Sequence, residues 1–151
     1  MTGIEIESLI RSFANEETEA AFLGIFAMDC LPKSIPKLPA LFVVNTQTSN
    51  LPGQHWKAVF IGRDKRGEVF DSLAMPVGLL LQNWMNTYTI KWKQTKQMIQ
   101  SPLSAFCGAF IAFFVLQRLR AKSMKTCLNI FKKDLFYNDV LIANFVRSLR
   151  L

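Results

Sequence analysis

The segment that most restricts the fold is Ala105–Leu116, AFCGAFIAFFVL, an unbroken apolar run of twelve residues between Ser104 and Gln117. A bilayer span needs roughly 20 such residues, so the run reads as a buried helix rather than a membrane segment. A helix apolar on every side must be wrapped by the rest of the chain. The 151 residues, half of them hydrophobic, are enough to do this as a single domain over 1–151, since a chain of that size buries about 70% of its unfolded surface. No staple is needed. Three cysteines, an odd number without C-x-x-C spacing, and one histidine exclude zinc-finger and disulfide-framework readings.

The surrounding pattern is that of an α+β domain. Ile6, Leu9, Ile10 and Phe13 recur at helical spacing within 4–21, predicting an amphipathic helix that ends or breaks around Asn15. Leu31–Pro39 carries three prolines in nine residues, which rules out helix and central strand and predicts an ordered surface loop. Strands are expected at 40–45 (ALFVVN), 56–61 (WKAVFI), 68–70 across the Gly62–Gly67 turn, and 88–93. Leucines and Trp84 at helical spacing mark 77–86, and helices are expected from Ser104 to about Arg120, over 124–130 and over 135–149. The expected architecture is a mixed or antiparallel central sheet packed against the buried helix.

Charge and targeting bound the function less tightly. A formal charge of +7 favours polyanions, but the basic residues fall in scattered pairs, including Arg118/Arg120/Lys122 and Lys132-Lys133, as on a solvated surface. Met1–Ser8 has no basic n-region, so secretion is not expected. Three unpaired thiols fit an intracellular or particle-enclosed setting.

One constellation carries chemistry. The single histidine, His55, lies in G-Q-H-W at 53–56, where the turn through Asn50, Pro52 and Gly53 feeds a strand. Asp71 closes the next strand sixteen residues later, so a hairpin brings the two to one end of the sheet. A carboxylate there fixes the imidazole tautomer and leaves the other ring nitrogen as a base. Cys107 falls in or near the first turn of the buried helix, where the helix N-terminus and a nearby imidazolium favour thiolate, and Gly108 allows another backbone or a substrate to approach. Gln100 supplies an amide that, with the Cys107 N–H, binds an oxyanion, worth about 3 kcal/mol per donor. Together these describe a thiol acyl-transfer site that needs no metal or cofactor for its chemistry.

The local words FLGIF (22–26), VVNT (43–46) followed by His55-Trp56, VFDS (69–72) and QSPLSAFCG (100–108) resemble the adenovirus-type processing protease family, adenain, within the clan of SUMO- and ubiquitin-like-specific cysteine proteases. The resemblance covers about residues 20–120. It implies His55 as general base, Asp71 as its orienting acid, Cys107 as nucleophile and Gln100 as oxyanion donor. Trp56 is implied beside the cleft, with Gly24 and Gly108 on the substrate side. It further implies cleavage at Gly-containing sites of viral or virus-like precursor proteins, an activating peptide and DNA as cofactors, and a place in the host nucleus or the particle. Related enzymes are also encoded by virus-like DNA transposons of the Polinton/Maverick type. Cys30 and Cys127 match no catalytic motif and read as partly buried small hydrophobes, with Cys30 alternatively bonding a cysteine of an activating peptide.

Two other readings compete. One is an isopeptidase of the same clan acting on a ubiquitin-like modifier, although such enzymes usually carry D-C-G where this chain has F-C-G. The other is a non-catalytic basic module that holds nucleic acid.

Overall fold

The structure, a computed structural model, describes residues 1–14, 18, 20–46 and 55–149. The turn expected at Asn50–Gly53 and the helix break at Asn15 lie outside the described residues.

The chain order is α1 (Gly3–Phe13), β1 (Ala21–Ala27), β2 (Ala40–Asn45), β3 (Trp56–Ile61), β4 (Arg66–Phe70), α2 (Leu79–Tyr88), β5 (Lys91–Gln94), α3 (Cys107–Leu119), α4 (Met124–Leu128) and α5 (Leu135–Leu149). One five-stranded sheet runs β1-β2-β3-β4-β5. Its centre, β2-β3-β4, is antiparallel, while both edge strands pair in parallel. The sheet is therefore mixed.

β2 explains itself physically: Ala40–Val44 are all buried because both faces of the sheet are covered. Leu41 and Val43 face α1, α3 and α5, with Phe70 stacked flat on Phe114 at 4.2 Å. Phe42 and Val44 face α2 with Val59, Ile61 and Val69. As its sequence requires, α3 lies in the first of these layers, with Gly108–Leu116 buried throughout. The α1 terminus is a capping box between Thr2 and Glu5.

The hairpin between β3 and β4 turns where Gly62 and Lys65 stand, the latter at φ 62, closed by Gly62 N–H donating to the Arg66 carbonyl at 2.9 Å. The proline-rich segment is the expected ordered loop, tied down by Trp84 Nε1 donating to the Pro32 carbonyl (2.7 Å) and the Tyr88 hydroxyl donating to that of Lys33 (2.8 Å). Among the described residues no helix is long and apolar enough to cross a membrane.

The expectations change at three points. The expected strands gain a first member: residues 21–27, to which the sequence assigns no element, form β1, with Phe22 and Ile25 packed on one core layer and Leu23 and Phe26 on the other. Arg118 is not part of a solvated basic cluster, since it sits 3.2 Å from the Glu68 carboxylate with its guanidinium over the Phe60 ring. Cys30 is exposed, whereas Cys127 is buried and its thiol pushed up to about 11 by that burial.

Candidate active site

The register of the β2-β3-β4 meander builds the site. His55 stands one residue before β3, its carbonyl accepting from Thr46 N–H at 2.9 Å. Asp71 stands one residue past β4, its own N–H donating to Thr95 Oγ1 at 3.0 Å. Because Ala58 pairs with Phe70, the two side chains emerge at the same sheet end, and His55 Nε2 donates to Asp71 Oδ1 at 2.6 Å. Both residues are buried. With Nε2 committed, the ring's other nitrogen, Nδ1, is left for the thiol of Cys107, which lines the same cleft and lies close enough for each group to favour the other's charged form.

Cys107 is the first residue of α3, following the N-cap Phe106, which offers no side-chain cap. Its own N–H has no acceptor inside the helix, and the positive end of the helix points at this spot. The backbone at Trp56 and Gly108 also favours the ionised thiol.

Electrostatics follow from these contacts. Burial works against charge on His55, but the hydrogen bonds with Asp71 and Cys107 outweigh it and raise the imidazole to about 9. Burial likewise opposes ionisation of Asp71 and of Cys107. The His55 hydrogen bond and charge overcome it in both, leaving each below its ordinary value. The arrangement favours a thiolate–imidazolium pair beside a carboxylate.

Asp71 has a full shell of donors. Leu73 N–H joins His55 on Oδ1 (2.8 Å), and on Oδ2 stand Met75 N–H (3.2 Å) and the ammonium of Lys57 (3.2 Å). Lys57, Thr95, Ser72 and Ser104 join the site without a motif to announce them. Only Lys57 left a signal, a charge on a strand whose other residues alternate between two apolar layers.

Gln100 is 1% exposed and lines the same cleft. Its Oε1 accepts from Ser72 Oγ at 2.6 Å, and its Nε2 donates to the Ser104 carbonyl at 3.0 Å, with Ser104 Oγ at 3.2 Å. The amide is thus directed at the turn just before Cys107. Asn138 of α5 braces that turn, its Nδ2 donating to the carbonyls of Ile99 (2.9 Å) and Lys132 (2.8 Å).

The cleft encloses about 800 Å³. His55, Trp56, Gln100 and Cys107 line it, and Met28, Met75, Leu79 and Leu80 make an apolar wall. The two glycines expected on the substrate side are not among its lining residues. Gly24 (φ 128) lies at the register shift of β1, facing Glu7 and Arg11 of α1. Gly108 admits the chain's own Met1 and Ile6: a Cβ there would come within 3.0 Å of Met1 Cβ. Among the described residues no group of histidine, cysteine or acidic side chains is arranged to hold a metal.

Neither a protein-family model nor a curated protein sequence matches the chain. Solved structures do. The chain is similar to the ASFV pS273R protease with TM-score 0.71 and 17% identity over 94% of its own length, and it spans 66% of that protease. It is similar to the central domain of the uncharacterized Lpg1148 protein from Legionella pneumophila, with TM-score 0.59, 10% identity, and 99% and 96% of the two chains covered. A further likeness is to ChlaDub1 from Chlamydia trachomatis, with TM-score 0.53, 20% identity, and 72% and 60% covered. At these identities the likeness is one of fold. The α+β fold is one this chain shares with the ASFV pS273R protease and ChlaDub1.

Proposed function

We propose that the protein is a cysteine peptidase acting on protein substrates, with Cys107 as nucleophile, His55 as general base and acid, and Asp71 as the group that orients and charges the imidazole. The observation that carries this is the buried imidazole, bonded to a carboxylate by one nitrogen and lining one cleft with a helix-terminal thiol whose ionisation it favours. The Cys107 thiolate attacks the scissile carbonyl carbon and the carbonyl oxygen takes the negative charge. The His55 imidazolium then protonates the amine as the C–N bond breaks, leaving a thioester. Water, giving its proton to His55, attacks that thioester, and Cys107 departs as thiolate with release of the carboxylic acid.

The oxyanion falls to the Cys107 N–H and, in this reading, to Gln100. Both contacts of Nε2 are with Ser104, so the longer one, to the hydroxyl, yields its proton to the substrate oxygen.

The finer reading follows the resemblance in QSPLSAFCG and H-W: an adenain-type enzyme, viral or transposon-borne, maturing precursor proteins at Gly-containing sites within a nucleus or particle. An activating peptide and DNA belong to the same reading, and the charge of +7 supports the second.

The experiment sets a Gly-Gly-containing peptide against a ubiquitin-like aminomethylcoumarin conjugate. Hydrolysis of the peptide, abolished in folded Cys107→Ala and His55→Ala, is expected. Hydrolysis of the conjugate alone makes the enzyme an isopeptidase. Hydrolysis of neither, with Cys107 alkylated by iodoacetamide no faster than exposed Cys30, overturns the peptidase reading in favour of a binding module.

A further inference from the structure

Lys57 is 2% exposed. It alternates along β3 with Trp56 and Ala58, which enter the helix-side core, so it shares a face with Val59 and Ile61 of the opposite layer. An ammonium in such a place is costly unless fully paired. Here it is: Nζ stands 3.2 Å from Asp71 Oδ2 and donates to the carbonyls of Pro76 at 2.9 Å and Met75 at 3.3 Å. A methionine or leucine would pack there without needing any of these contacts. The cation is thus spent on two objects, the outer oxygen of the carboxylate that holds His55 and the segment that forms one wall of the cleft.

We propose that Lys57 is a positioning residue of this site, whose ammonium pins the 75–76 wall to Asp71 and offsets the charge that Asp71 imposes on His55. The proposal rests on His55 and Cys107 being the reacting pair. Four charged or titratable side chains meet here: His55 before β3, Lys57 within it, Asp71 after β4 and Cys107 on α3. The 72–76 segment contributes backbone amides and carbonyls, and Met1, with the chain's amino group, lies at the cleft's edge. Counting Lys57, the charge-separated site sums to zero, with thiolate and carboxylate against imidazolium and ammonium. Without it a buried net negative charge remains, and it falls on the imidazolium to balance it. A proton acid held too tightly gives up its proton slowly to a leaving amine, so the lysine keeps His55 usable as an acid.

The chain has one histidine, so a single imidazole NMR resonance reports its titration without assignment. The comparison is the intact protein against Lys57→Met, Lys57→Gln and Lys57→Arg. Asp71 retains the Leu73 amide on the oxygen that faces His55 in every variant, so its hold on the ring survives. Loss of a nearby cation then moves the His55 midpoint up by about one unit in the Met and Gln proteins, while Arg keeps it within a few tenths. A midpoint unmoved or lowered in a folded uncharged variant overturns the proposal. Loss of the folded state in both uncharged variants assigns Lys57 to stability alone and overturns it too. The peptidase reading fails separately: a titration shift in a protein that hydrolyses no peptide retains the charge offset and removes only the reaction.

Discussion

Replacing Asp71 by Asn tests the electrostatics of the site through one atom. Asp71 accepts from four donors, two on each oxygen. An amide offers one oxygen, so its NH2 must face either His55 and Leu73 or Met75 and Lys57. The stronger constraint is the 2.6 Å contact with the ring, which keeps the oxygen on His55 and sets the NH2 against Met75 N–H and Lys57. Losing the carboxylate charge at this range lowers an imidazole by about two units, which takes His55 from about 9 to about 7. The imidazolium that holds the Cys107 thiolate then disappears near neutrality, and the thiol climbs back toward its ordinary value of about 8.5. At pH 7.5, above that imidazole midpoint, the thiolate fraction falls to about one in ten by the same arithmetic.

The assay is iodoacetamide labelling of each cysteine, read by peptide mass spectrometry between pH 5 and pH 9. Exposed Cys30 is the solvent reference and buried Cys127 the shielded one. In the native protein the Cys107 midpoint lies below the ordinary thiol value. In Asp71→Asn it rises toward that value, and labelling at pH 7.5 slows about tenfold. An unshifted midpoint in the folded variant would refute the claim that Asp71 charges the imidazole.

Two further substitutions separate packing from chemistry. Gly108→Ala places a Cβ 3.0 Å from Met1 Cβ and 3.1 Å from Ile6 Cδ1; overpacking of this kind costs about 2 kcal/mol, a fall in Tm of about 6 °C for a domain this size. The Cys107 labelling profile should hold, and unaltered stability with lost cleavage would return Gly108 to the substrate side. Gln100→Ala should lower kcat about a hundredfold with KM little changed, the signature of a donor used only in the transition state. A loss confined to KM would make Gln100 a binding residue.

Much of the fold was legible because two of its signals are long. The apolar run of α3 admits one environment, and β2, β3 and the turn at Gly62–Gly67 carry strand and turn chemistry that nothing later overrides. The parallel edge strand β1 was hidden because Ala21–Ala27 has neither alternation nor turn residues to set it off, and its strand character comes from pairing with β2, a tertiary fact. The constellation of His55, Asp71 and Cys107 was readable from spacing, since a short hairpin fixes which ends meet. The orientation of Gln100 was not, because it depends on Ser72 and Ser104, which differ from any loop serines only in where they are held. Nor did the glycines declare their partners: Gly24 adopts φ 128 beside Glu7 and Arg11, and Gly108 leaves room for Met1 and Ile6, contacts between segments far apart in sequence.

That last contact has a practical side. The Met1 carbonyl lies 3.2 Å from where a Gly108 Cβ would be, and Met1 also borders the cleft. Whatever is fused ahead of Met1 therefore leaves from beside the nucleophile. An affinity handle placed there would crowd the entrance of the cleft that His55 and Cys107 line.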